Sequence, residues 1–260
     1  MKILVIGADG VIGSKLIRKL RECGEEAIPA SANIRTDVPQ GSSLPAKLAE
    51  ASVVVDVRNF PVLDEPEALW IAGTPARNLL TDERASGIEH HLVLSVVGAG
   101  GLPDSGYFRG WDAKEKVVRT AAIPYTIVRA TQPFECLKRI ADHATVGTAV
   151  RLPPVLIQPI AADDIVRALY AAVLGPAHNG VTEIAGPQYH RLDAIVRREL
   201  RRSSDPRPVI VDRCARYFGA EVGEHTLLPD DDARLYGETY DDWVNGIRSS
   251  SLATRPAQWV

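Results

Sequence analysis

Gly7, Gly10 and Gly13 recur at three-residue intervals near the start of the 260-residue chain. Their type and spacing suit the binding of a pyrophosphate. Glycine at the first position permits a tight turn, at the second it lets the backbone approach the phosphates, and at the third it lets a helix lie close on a strand. The N–H groups at the helix start, those of Val11 and Ile12 among them, then meet the negative charge together with the positive end of the helix dipole. Glycine triplets also occur at ordinary turns, so the flanking elements decide.

Those elements are written on either side. Lys2-Ile-Leu-Val-Ile-Gly7 is an apolar, β-branched run of the kind buried on both faces of a parallel sheet. From Ser14 to Arg21 the apolar residues return at helical spacing, and Gly24 closes the helix. Glu25 to Ala30 reads as a second strand. Sites specific for NAD place an acid at the end of this strand, against the ribose hydroxyls. Here the stretch is Ala30, Ser31, Ala32, Asn33, Ile34 and Arg35. Without the acid, and with Ser31, Asn33 and Arg35 as donors, it favours NADP(H) over NAD(H).

Ser52 to Val57 is a third buried strand. Arg58 and Asn59 follow it at the carboxyl end, where open α/β sheets hold their ligands. A short helix over 41–48, a long helical segment over 64–86, a strand from His91 to Gly98, a helix over 112–122 and a strand from Tyr125 to Arg129 continue the alternation. That order predicts a doubly wound parallel sheet with helices on both faces. Beyond residue 150 prolines break the pattern, so the expected division is a dinucleotide-binding domain over 1–150 and a smaller α/β substrate-binding region over 151–260, packed as one unit. Ala162-Asp163-Asp164 reads as a capped helix start.

Composition narrows the class. Hydrophobic residues make up 45% and charged residues 24%, ordinary values for a globular protein, and the net charge of −3 leaves no footprint for nucleic acid. Cys23, Cys136 and Cys214 are scattered and fit neither a disulfide framework nor a metal site. His90 and His91 are adjacent and would point to opposite faces of a strand, against joint ligation. No metal, membrane or nucleic-acid partner is expected; a small-molecule substrate, a cytoplasmic setting and a homodimer are.

Several stretches in order, Gly7-Ala-Asp-Gly-Val-Ile-Gly13, Leu94-Ser-Val-Val-Gly98, Leu102-Pro-Asp-Ser-Gly-Tyr-Phe-Arg109, Pro124 to Gln132, Pro159 to Asp164 and Glu183-Ile-Ala-Gly-Pro187, resemble the NmrA-like atypical short-chain dehydrogenases. The resemblance implies a Rossmann domain binding NAD(P) and a small C-terminal region closing a substrate cleft. It also implies roles: Ser95 polarises a carbonyl and Tyr107 gives or takes its proton. The lysine that serves such a tyrosine falls on residue 111, which is Trp111. Trp111 can donate one indole N–H to the cofactor, but it brings no charge to lower the tyrosine pKa. Lys114 shares the helix face of Tyr107, its α-carbon ~10 Å along the axis, and is a candidate cofactor-binding cation whose reach the sequence leaves open. Asp9 stands where similar chains often carry Thr, and is expected to turn from the phosphates and cap the turn or helix. Ala130 to Phe134 is expected against the nicotinamide. Substrate walls are expected from 98–106, 134–143 and 153–159.

These residues point to NADPH-dependent reduction of a carbonyl or quinone-like molecule, with Tyr107 as proton donor and Ser95 beside it. Loss of the lysine leaves two other readings: a non-redox cyclase or isomerase on the same scaffold, and a non-catalytic sensor of the NAD(P) redox state.

Overall fold

A computed structural model describes residues 1–31, 44–59 and 76–246. The first apolar run is β1 (Lys2–Ile6), all but Lys2 fully enclosed. The glycine turn leads to α1 (Val11–Glu22), whose buried stripe is Gly13, Leu16, Ile17 and Leu20. Then come β2 (Glu26–Ala30), α2 (Leu44–Leu48), β3 (Val53–Asp56), helical residues 76–85 (α3), β4 (His90–Val96), α4 (Gly106–Thr120) and β5 (Tyr125–Ala130). After a 3₁₀ turn at Phe134–Cys136 follow α5 (Leu137–His143), β6 (Thr145–Val146), β7 (Ala149–Leu152), β8 (Leu156–Ile157) and α6 (Ala162–Leu174). The chain then forms β9 (Gly180–Ala185), β10 (His190–Arg191), α7 (Leu192–Arg202), β11 (Val209–Val211), β12 (Arg234–Leu235) and α8 (Tyr240–Val244).

The central sheet has the order β12-β9-β5-β4-β3-β1-β2. Every neighbouring pair runs parallel. Its continuous Val, Ile and Leu runs follow from burial on both faces. One face packs on α1 and α6 through Leu16, Leu20, Ile165 and Leu169. The other packs on α2, α3 and α4 through Leu48, Leu79, Leu80 and Val118. The chain leaves β1 to one side for β2 and returns to its other side for β3. That reversal opens a crevice at the carboxyl ends of β1 and β3, the place where such sheets hold ligands.

The division expected at residue 150 is crossed in both directions. α5 and β6 lie before it, yet they pack with β7, β11 and α7 in a second core over one end of the sheet. α6, β9 and β12 lie after it, yet they complete the central sheet and its helical layer. Only a chain that returns to the β5 edge can bury that strand's free side.

α4 begins at Gly106, six residues before the helix expected from sequence, because Ser105 Oγ accepts from the Phe108 N–H and fixes the first turn. The Ser105 hydroxyl also donates to the Phe218 carbonyl at 2.5 Å, tying the helix start to the 217–220 loop. α6 departs from expectation in another way. Its N-cap is Ala161, without a side-chain cap, and Glu135 Oε2 accepts from the Ala162 N–H at 3.2 Å instead. No described helix is long and apolar enough to cross a membrane.

Candidate functional site

The turn after β1 needs its glycines for two separate reasons. Gly7 has φ +91°, and a Cβ there would lie 3.0 Å from the Arg58 backbone nitrogen. A Cβ on Gly13 would lie 2.0 Å from the Gly7 carbonyl oxygen. Gly13 therefore shapes the turn without facing ligand. Gly10 is the N-cap of α1 and makes no side-chain hydrogen bond, so the first N–H groups of the helix keep their polarity for an acceptor outside it.

A cavity of about 460 Å³ opens over this turn. Gly7, Asp9, Gly10, Val11 and Ile12 form one wall, and Val57, Arg58 and Asn59 from the end of β3 form another. Leu94, Ser95 and Val96 close the floor at the end of β4, with Tyr107 and Trp111 from α4 beside them. Ala130, Thr131 and Pro133 follow from the end of β5, then Glu135, Cys136 and Arg139. The structure thus gathers the glycine turn, Asn59, Ser95, Tyr107 and Trp111 into one cavity. Phe134 turns away, 1% exposed, and packs on Tyr240 and Trp243. The loops 98–106 and 153–159, expected as walls, do not line it; Leu102, Val155 and Ile157 are spent in the second core. Arg35 lies outside the described residues.

Three side chains behave differently from expectation. The Ser31 hydroxyl donates to Asp9 Oδ2 at 3.0 Å, so its proton is committed to a carboxylate and not to a 2′-phosphate. Asp9 thereby places an acid beside the residue that follows β2, supplied from the neighbouring turn. Ser95 is 1% exposed and its hydroxyl donates to Glu115 Oε1 at 2.6 Å. Arg129 grips both oxygens of that carboxylate at 2.8 Å. A hydroxyl has one proton to give, and Ser95 gives it to Glu115. In this geometry the Ser95 hydroxyl proton is not offered to the cavity.

Lys114 is the third. It is 1% exposed, sits 5.3 Å over the Trp111 ring, and its ammonium lies 3.2 Å from Asp56 Oδ2. Trp111 is part of the cavity wall and Lys114 is not. Arg58 binds the same carboxylate with Nε at 2.9 Å and Nη2 at 2.7 Å. Burial alone would raise Asp56, but Arg58 and Lys114 hold its carboxyl well below the usual range. Burial pulls Lys114 down to about 8 against the attraction of Asp56. Lys114 therefore serves a buried charge cluster behind the wall.

Tyr107 is 7% exposed. Its ring stacks on Phe218 at 4.9 Å and meets Trp111 edge-on at 6.3 Å. Burial raises its pKa, with the Arg139 charge and the Trp111 indole N–H acting against that rise. At neutral pH it is a protonated phenol at the edge of a cavity, able to donate and unable to act as a base.

Thr131, Gln132 and Arg139 lie in stretches expected at the site, 130–134 and 134–143, though no motif singles them out. Thr131 Oγ1 and Gln132 Oε1 are buried without a hydrogen-bond partner among the described residues. Thr131 and Gln132 follow directly on β5, and a polar pair at the carboxyl end of a core strand was the available signal. Arg139 falls in the 134–143 stretch expected as a substrate wall, and α5 brings it to the cavity. Among the described residues no His, Cys, Asp and Glu group could hold a metal ion. His90 and His91 are both buried and face apart, His90 to Thr126 and His91 to Glu83.

Neither a protein-family profile nor a curated protein matches the chain in sequence. Its backbone is shared nonetheless. MoeE5, solved with UDP-glucuronic acid and NAD, superposes with a TM-score of 0.66 at 18% identity, covering 96% of this chain and 94% of its own. The dTDP-4-dehydrorhamnose reductase of Bacillus anthracis, solved with NADP, gives 0.64 at 13% identity over 88% and 90%. The UDP-glucose 4-epimerase of Thermus thermophilus, solved with NAD, gives 0.63 at 17% over 84% and 88%. The fold is the Rossmann type of these enzymes. At such identities the likeness concerns the fold.

Proposed function

We propose that this protein is an NAD(P)H-dependent reductase of a carbonyl or quinone-like small molecule, with Tyr107 as proton donor. The observation that carries the reading is the placement of a protonated, buried phenol in the wall of the cavity that opens over the glycine turn. The residues fit a dinucleotide: the Gly7 and Gly13 α-carbons admit no Cβ, and the uncapped α1 start faces the cavity. That structures of the same fold carry NAD or NADP supports it.

Val11 and Ile12 would hold the pyrophosphate by backbone N–H groups, with Gly10 letting it approach while its own N–H closes the turn on the Gly7 carbonyl, and Trp111 and Asn59 would border the nicotinamide half. When bound, the reduced dinucleotide supplies a hydride. Tyr107 gives its O–H proton to the substrate oxygen as negative charge builds there. The phenoxide left behind is eased by the Arg139 charge and the Trp111 N–H, the same two groups that oppose the rise in its pKa. Ser95, its proton held by Glu115, gives no second donor to that oxygen, so Tyr107 supplies the proton without it. NADPH is the coenzyme proposed, because β2 carries no acid at its own end; Asp9 is the charge that limits the preference.

The test follows the near-ultraviolet absorbance of NADPH across a panel of aldehydes, ketones and quinones. Tyr107→Phe should lower turnover ~100-fold or more while leaving dinucleotide affinity unchanged. NADPH binding without oxidation on any carbonyl or quinone would end the reductase reading. Product formed without absorbance change would establish the cyclase or isomerase reading in its place.

A further inference from the structure

A second, smaller hollow of about 40 Å³ adjoins the main cavity beyond Tyr107. Thr131, Gln132, Arg139 and Tyr217 bring their polar groups to it, and Tyr107 stands at its junction with the larger space. Arg139 is exposed at the mouth of both and has no acidic partner among the described residues. Its neighbours contrast with it: Lys138 pairs with Asp142, and Arg207 pairs with Asp142 and Asp205. The carboxylate at the cavity, Glu135, is occupied by the Ala162 N–H and the Trp243 indole N–H.

We infer that Arg139, with Thr131, forms a subsite for the carboxylate of a small carbonyl substrate, whose carbonyl then meets Tyr107. A guanidinium presents paired donors that match a carboxylate in a fork, and the bond is strong where water is partly excluded. The Thr131 hydroxyl, buried without a partner among the described residues beside that cation, is a donor that a carboxylate would engage. The hollow has room for a carboxylate or one similar compact group and not for a nucleotide. The carbonyl part of this inference rests on the reductase reading; the anion part does not.

The experiment is calorimetric titration of the full-length protein with benzoate and with benzamide, which match in shape and differ in charge, alongside a separate titration with NADPH. Benzoate should bind at least ~10-fold more tightly than benzamide. Arg139→Gln should erase that difference, Arg139→Lys should keep part of it, and both should change NADPH affinity less than ~3-fold. Because Arg139 is exposed, unchanged thermal melts will show that the variants fold. Equal binding of benzoate and benzamide by the wild type, or a preference that survives Arg139→Gln, overturns the subsite. If Arg139→Gln weakens NADPH as much as benzoate, Arg139 serves the dinucleotide phosphates and the subsite is again overturned. Failure of NADPH to bind while the benzoate preference holds would remove the reductase reading and leave the anion site standing.

Discussion

Trp111 takes the helical position one turn after Tyr107 where a cation would drive the phenol toward ionisation. Its ring is 2% exposed, wedged between Tyr107 and the Lys114 ammonium. Trp111→Lys would place a third cation near Arg58 and Lys114 while removing a buried indole, so it should cost ~3 kcal/mol of stability in a denaturant melt. Its chemical effect should be opposite in sign. The pH at which Tyr107 loses its proton should fall, and any oxidation of an alcohol in the reverse direction should rise ~10-fold near pH 8. A destabilised variant with no such gain would show that the site is built for something other than hydride transfer. Asp9 supplies a second residue-scale test. Asp9→Asn removes a carboxylate from the end of β2, and NADPH affinity should increase ~3- to 10-fold with NADH affinity little changed, read by paired fluorescence titrations.

At the scale of elements, the segment between β5 and α6 fastens three pieces together through Glu135. One oxygen accepts from the α6 start and the other from Trp243 of α8. Glu135→Ala should therefore lower stability by ~1–2 kcal/mol, a capping-sized loss, visible as a Tm lower by several degrees. The elements that were legible in the sequence are those whose determinants are local. β1, β3 and β4 are runs of Val, Ile and Leu that only burial on two faces explains, and the Gly7–Gly13 turn carries its own geometry. What could not be read depended on residues far apart in the chain. Ser95 is in the expected strand, but Glu115, 20 residues on, and Arg129 decide where its proton goes. Lys114 is on the expected helix face, but Asp56 pulls its ammonium into the interior. At the α4 start the local cap of Ser105 on the Phe108 N–H is joined by a tie to the Phe218 carbonyl, 113 residues away. Periodicity reports which face is buried and says nothing about which buried partner is met.

Over the whole molecule, the C-terminal segment is tied to α6 at a cluster of acids. The Glu238 N–H donates to Asp164 Oδ2 at 3.2 Å, and the Glu238 side chain is 4% exposed. Burial first, then Asp164 and Asp163, raise its carboxyl from 4.5 to about 7. Between those values the folded protein holds a proton that the unfolded chain has lost, so this group's contribution falls as pH rises from about 5 to about 7. Glu238→Gln should leave the Tm unchanged near pH 5 and raise it by ~3 °C at pH 8. The order of strands in the central sheet also has a bearing on how the protein is made. The ribosome delivers β1 to β5 first, and every residue that lines the cavity has emerged by residue 165. The outer side of β5 stays bare until β9 arrives, and β9 stays bare until Arg234 and Leu235 pair with it. For that interval the nascent chain presents a long apolar strand edge, the kind that recruits other chains. A chain stopped between residues 150 and 180 should accumulate as aggregate even though its dinucleotide turn is complete, and one extended past residue 235 should not.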